Sequence, residues 1–189
     1  MQEPQRRSQK DRSDSMRAAL LRAGRAAFVR DGFAATGTPE IVAAAGVTRG
    51  ALYHHFNDKE DLFAAVIQAE AEAIATMIED SGFAGLSPLE TLIQGGEAFL
   101  SAMTVPGRAR LMLVEAPAVL GPAQLARIDA ATGGRTLASG LAAAGVANSS
   151  HLAALLSAAY DRAALAIERG DPPGPWRAAL ERLVRGVAG

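Results

Sequence analysis

The chain has 189 residues, 49% hydrophobic and 21% charged, with a net charge of −1 and no cysteine. That is enough apolar matter to bury a core in one large or two small domains, and it excludes a disulfide framework or a thiolate metal site. There is no apolar run of the roughly eighteen residues a membrane span needs. The polar start lacks the apolar stretch of a secretory signal, so a cytoplasmic protein is expected.

Charge is unevenly placed. Residues 1–57 hold nine Arg and Lys against five Asp and Glu, so the rest of the chain is net acidic. A basic front on an acidic body suits a DNA reader with a separate second function. Residues 1–13 are polar and aperiodic and read as a disordered basic arm. Its Arg6, Arg7, Lys10 and Arg12 can touch DNA or simply stay solvated. A first helix is predicted over Asp14–Asp31, with Met16, Leu20, Ala23, Ala27 and Phe28 at helical intervals. Gly32 is expected to stop it, Phe33 to pack back, and Arg17, Arg22 and Arg25 to be ordinary surface charges.

The stretch TPEIVAAAGVTRGALYHHFNDKEDLF, residues 38–63, reads as two short helices joined by a tight turn. Thr38 is the expected N-cap of the first, and Pro39 suits its first position. Ile41, Val42, Ala44 and Ala45 form its apolar face. Gly46 stands where a helix ends in a left-handed residue, Val47 plugs the corner, and Thr48 caps the second helix. Leu52 and Phe56, four apart, anchor that second helix. Its opposite face offers Thr48, Arg49, Gly50, Tyr53 and His54, groups that can enter a DNA major groove. The spacing is that of a helix-turn-helix, with the motif at about 37–56. His55 is expected to pack beside Phe56.

Asn57 or Asp58 should cap a fourth helix running from Lys59 to about Glu79, with Leu62, Val66, Ala69, Ala73 and Met77 buried. Lys59 is out of place: a cation in the first turn opposes the helix dipole. A DNA phosphate beside that helix start removes the anomaly.

The run from about Met16 to Val66 resembles the DNA-binding domain of the tetracycline-repressor (TetR) family of transcriptional regulators. The residues that carry the likeness are Phe28 with Gly32 and Phe33, then Thr36 and Ile41, then AGVTRGALYHHF at Ala45–Phe56 and KEDLFAAV at Lys59–Val66. Gly24 stands where that family usually has Ala, which should slightly weaken the first helix. Gly37 stands where a second Thr often follows Thr36.

No β-strand pattern competes anywhere, so an all-α fold is expected, and the resemblance implies a DNA-binding domain at 14–74 and a regulatory and dimerisation domain at 75–189. Residue by residue, it and the face just described assign the DNA contacts to Thr38, Thr48, Arg49, Gly50, Ala51, Tyr53, His54 and Lys59. Tyr53, His54, Lys59 and Thr38 fix the module on phosphates, and Arg49 and Thr48 reach base edges. Gly50 permits close approach and Ala51 meets a thymine methyl.

In the body, helices are predicted from Ser87-Pro88, over Arg108–Glu115 with Pro117 breaking it, and from about Ala123 with a kink at Gly133-Gly134. Two more follow, from Asn148 or Ser149 to Glu168 and from Trp176 to about Gly186, with a stiff linker over residues 170–175 between them. The resemblance implies that these last two form a four-helix homodimer interface with a second copy. It also implies an apolar effector pocket, for which Phe99, Met103, Leu111, Met112, Glu115, His151 and Tyr160 are the candidates.

No HExxH, GxSxG or GxxxxGK[ST] pattern occurs. The adjacent His54 and His55 point apart on a helix and make a poor metal pair. Neither an enzyme nor a bound metal or cofactor is expected. The expectation is a dimeric regulator bound to double-stranded operator DNA, most simply a repressor released by a small apolar or amphipathic effector. A ligand-independent DNA-binding protein and an activator are the alternatives.

Overall fold

The computed structural model describes residues 9–132 and 134–188, with side chains of 130–135 excepted. Every regular element among them is helical, as expected. Contacts divide the chain into a unit ending at Val66 and a second from Ile67 to Gly189.

The first unit holds α1 (Gln9–Ala35), α2 (Thr38–Ala45), α3 (Arg49–His55) and the start of α4 (Lys59–Glu79). Helix α1 begins within the stretch expected to be a disordered arm, so Lys10 and Arg12 are helical; Arg6 and Arg7 lie outside the described residues. Gln, Lys and Arg are good helix formers and can extend a helix whose later turns are packed. Gly32 does not end α1. It kinks it, at φ 81° and ψ 165°, and one more turn follows. That kink turns Phe33 inward, where its ring lies 5.0 Å from Phe63 and 5.9 Å from Phe28. Phe28 meets Phe63 edge to face at 5.0 Å, the geometry favoured by ring quadrupoles. Leu20, Ile41, Leu52 and Leu62 complete this core, all fully buried.

The second unit is the body. Helix α5 (Pro88–Met103) starts at a capping box in which Ser87 and Glu90 exchange hydrogen bonds. After it come α6 (Arg108–Arg110), a π-helical turn (Leu111–Glu115) and α7 (Ala116–Val119). Pro117 therefore does not break the expected sixth helix. It has no N–H for the Leu113 carbonyl, and the chain widens into the π turn just before it, with Ala116 N–H bonding Leu111 O. Next are α8 (Pro122–Thr132) and α9 (Gly134–Ala143). The predicted kink at Gly133 lies outside the described residues.

The last helices are α10 (Ser149–Glu168) and α11 (Pro173–Ala188). Helix α11 starts inside the predicted linker because proline is at home in a first helical turn. The body core is built from Leu92, Leu100, Leu141, Leu156, Tyr160 and Leu180 among many alanines.

Helix α4 runs unbroken through the division. Its buried residues shift along its length: Leu62, Phe63 and Val66, then Ile67, Glu70, Ala71 and Ile74. Met77, expected to be buried, is 41% exposed. Among the described residues no helix is long and apolar enough to cross a membrane.

Candidate nucleic-acid interface

The turn between α2 and α3 follows directly from sequence. Gly46 takes the left-handed conformation at φ 65°. Its N–H bonds Ala43 O, and Val47 N–H bonds Val42 O at 3.1 Å. This paired arrangement satisfies the carbonyls at a helix end, and a Cβ would strain it. Thr48 then caps α3, its Oγ1 accepting from Ala51 N–H at 3.1 Å. Helix α2, in contrast, is capped by the backbone of Gly37, so Thr38 sits one position inside the helix with its hydroxyl not used as a cap. Ala44 faces solvent, leaving Ile41 as the buried anchor of α2.

Leu52 is fully buried and Phe56 nearly so, which fixes the roll of α3. The other side of α3 presents Thr48, Arg49, Gly50, Tyr53 and His54, all exposed, with Ala51 at the margin. Arg49 lies over the Tyr53 ring, 5.5 Å from its centre. Hydrogen bonds from Arg49 and then Thr38 hold the Tyr53 hydroxyl below the ordinary phenol pKa. The structure thus brings Thr38, Arg49 and Tyr53 into one polar group across α2 and α3. His55 is half-buried, with its ring 6.3 Å from Phe56. Desolvation, then His54 and Arg17, lower its pKa.

Lys59 has intramolecular partners that its place in the sequence does not suggest. Its Nζ donates to Phe33 O at 2.7 Å and Thr36 O at 3.0 Å, and stands over the Phe33 ring at 4.2 Å. The cation opposes the dipole of its own helix but sits on the carbonyls at the end of α1, where a positive charge is favoured. Asp58 and Asp61 supply the negative groups expected at the start of α4, Asp61 N–H bonding Asp58 Oδ1 at 2.8 Å. Arg17, expected to be an ordinary surface charge, lies over the Phe56 ring at 5.3 Å. No sequence signal short of the fold could have paired these groups.

Three cavities among the described residues of the body scatter the seven effector candidates. One, of about 360 Å³, is walled by α5, α9, α10 and the last turn of α4. Phe99 and Tyr160 meet in it at 6.0 Å. Met103 lines a second, of about 390 Å³, and Met112 a third, of about 360 Å³. Leu111 is solid core. Glu115 pairs loosely with Arg110, and His151 is exposed; neither lines any of the three. Sequence reasoning missed Ile78, Gly95, Gly96 and Gly140 of the first cavity. The adjacent glycines inside an apolar helix were the available signal, since each costs roughly 1 kcal/mol there.

Residues 20–66 match the model for bacterial regulatory proteins of the tetR family, and residues 89–188 match a tetracyclin repressor-like C-terminal domain. The chain belongs to the tetR family of DNA-binding transcriptional regulators, a family of regulators rather than enzymes. It is 32% identical to the HTH-type transcriptional repressor AcnR of Corynebacterium glutamicum over 72 residues, 38% of either chain. It is 29% identical to the HTH-type transcriptional activator FasR of Mycolicibacterium smegmatis over 119 residues, 63% of this chain and 54% of that one. These matches thus span about two-fifths to half of the curated relatives. A crystal structure of a TetR-family transcriptional regulator from Pectobacterium atrosepticum superposes with a TM-score of 0.69 at 29% identity, covering 96% of this chain and 97% of the other. Regulators of this family bind operator DNA and act as dimers.

Proposed function

We propose that this protein is a cytoplasmic, dimeric repressor whose α3 lies in the major groove of an operator and which leaves the DNA when a small molecule fills its body. The observation that carries the reading is the exposed group of Arg49, Gly50 and Tyr53 with half-buried Thr38 beside it, held opposite Leu52 and Phe56. Arg49 reaches a base edge, for which guanine is the usual partner. Gly50 lets the backbone approach, and Ala51 meets a thymine methyl. Tyr53, His54 and Thr38 hold phosphates, and Thr48 sets the angle of α3 through its cap. Lys59 acts chiefly by clamping the start of α4 to the end of α1. Leu155 and Leu183, 69% and 49% exposed on α10 and α11, support a second copy packing on that face.

Effector control is supported by α4. Its residue Lys59 belongs to the DNA-binding module, and its residue Ile78 lines the Phe99–Tyr160 cavity. A ligand that displaces Ile78 acts on the helix that enters the module. In a dimer this changes the separation of two reading heads that must suit half-sites roughly 34–36 Å apart.

The test is a shift assay on operator DNA. Arg49→Ala should cost about 1–3 kcal/mol on the operator and little on unrelated duplex. Unchanged operator binding removes α3 from the interface. An activator is the second reading, favoured by the likeness to FasR; a reporter that falls rather than rises on deleting the gene selects it.

A further inference from the structure

The three cavities just described differ in one decisive respect. Glu168 lines one, and Asp129 and Asp161 line another. Among the described residues, none that lines the cavity between α5, α9 and α10 carries a formal charge. Its walls are chiefly apolar, and its polar groups are hydroxyls, with Thr91 and Tyr160 the more enclosed. An ion entering it would give up hydration with no counter-charge from those lining groups, at a cost of several kcal/mol.

The floor of this cavity is built at the expense of helix stability. Gly95 and Gly96 sit in the middle of α5, where glycine is unfavourable. A Cβ at Gly96 would overlap the Tyr160 hydroxyl, so this glycine is what lets the hydroxyl end of Tyr160 pack against α5. A Cβ at Gly95 would meet nothing within 4 Å, so that position opens on the cavity itself. Tyr160 is only 7% exposed, and burial, then Glu97, push its hydroxyl up to about 12. It stays a neutral donor across the physiological range.

We propose that this cavity takes an uncharged, largely aromatic or aliphatic ligand with one hydrogen-bond acceptor. The ligand seats on Gly95, and its acceptor faces the Tyr160 hydroxyl. Anions and cations of the same skeleton are rejected by desolvation. The inference rests on the reading of the body as an effector sensor and specifies the class of effector.

A matched pair of photoreactive probes tests it on the full chain. Benzophenone is neutral with a single carbonyl acceptor, and 4-benzoylbenzoate adds one carboxylate to the same skeleton. Benzophenone should label saturably, on peptides of α5 or α10, and bind at least about tenfold more tightly than the benzoate. Gly95→Leu, which also improves helix propensity, should fill the cavity and abolish labelling while the melting temperature holds. Tyr160→Phe should weaken benzophenone about fivefold, the worth of one hydrogen bond. Equal affinity for the two probes, labelling undiminished in Gly95→Leu, or no saturable labelling would each overturn the proposal. Operator release is read separately on the same samples. Benzophenone that binds as described but leaves operator affinity unchanged upholds the cavity's selectivity and sinks the sensing role.

Discussion

The DNA-binding unit and the body are held together by opposite means. The first closes on three phenylalanines and four fully buried aliphatic residues, and a cap or a clamp secures each turn from Gly46 to Asp61. The second is packed largely with Ala and Leu, contains cavities of about 360–390 Å³, and carries a buried ion pair. Large interlocking side chains leave one way to assemble a unit; small ones allow close helix approach and leave space that a ligand can fill. A reading head must present Arg49 and Tyr53 in fixed geometry, whereas a sensor needs two packings close in energy.

The sharpest way to break this contrast is at the ion pair. Arg108 Nε donates to Glu70 Oε2 at 2.7 Å and Nη1 to Ala102 O at 2.8 Å, and both residues are at least 94% buried. Removing one partner strands a charge inside the body. Arg108→Ala should cost about 3–5 kcal/mol in denaturant unfolding. A loss under about 1 kcal/mol would mean the body does not depend on this tie between α4 and α6.

Lys59→Met comes next. It keeps the packing stem but removes two charge-assisted bonds, and should destabilise by about 2 kcal/mol. The salt dependence of operator binding separates clamp from phosphate contact. A clamp leaves the slope of log affinity against log salt unchanged, while a lost phosphate contact flattens it by about 0.9.

The body offers a smaller test with a defined sign. Desolvation, then Asp129, raise the Asp161 carboxyl to about 6. A raised folded pKa means the native state holds a proton the unfolded chain has released. Stability is therefore fully present below the ordinary Asp value and is lost as pH rises through about 6. Asp161→Asn should stabilise at pH 7.5 by about 1 kcal/mol, after discounting for solvent screening. The gain should vanish near pH 4, as followed by melting temperature.

The smallest effect is expected at Gly24. A Cβ there would lie 3.4 Å from Leu62 and 3.5 Å from Phe28, ordinary contacts. Gly24→Ala should stabilise the DNA-binding unit by about 0.5 kcal/mol. A loss instead would show that even this unit's core has no slack.

Residue types and spacing were enough to read the helix-turn-helix, because everything it needs is local. Gly46 must take positive φ, Thr48 must cap, and Leu52 and Phe56 must share a face, all within twelve residues of chain. The all-α class followed from periodicity for the same reason. What sequence could not decide were pairings between distant residues. Lys59 finds Phe33 and Thr36, Glu70 finds Arg108, and Tyr160 finds Gly96 only once helices are packed. The effector candidates failed to gather in one place because an apolar residue looks the same in sequence whether it fills a core or borders a void. Tertiary packing alone left space beside Phe99 and Tyr160 and none beside Leu111.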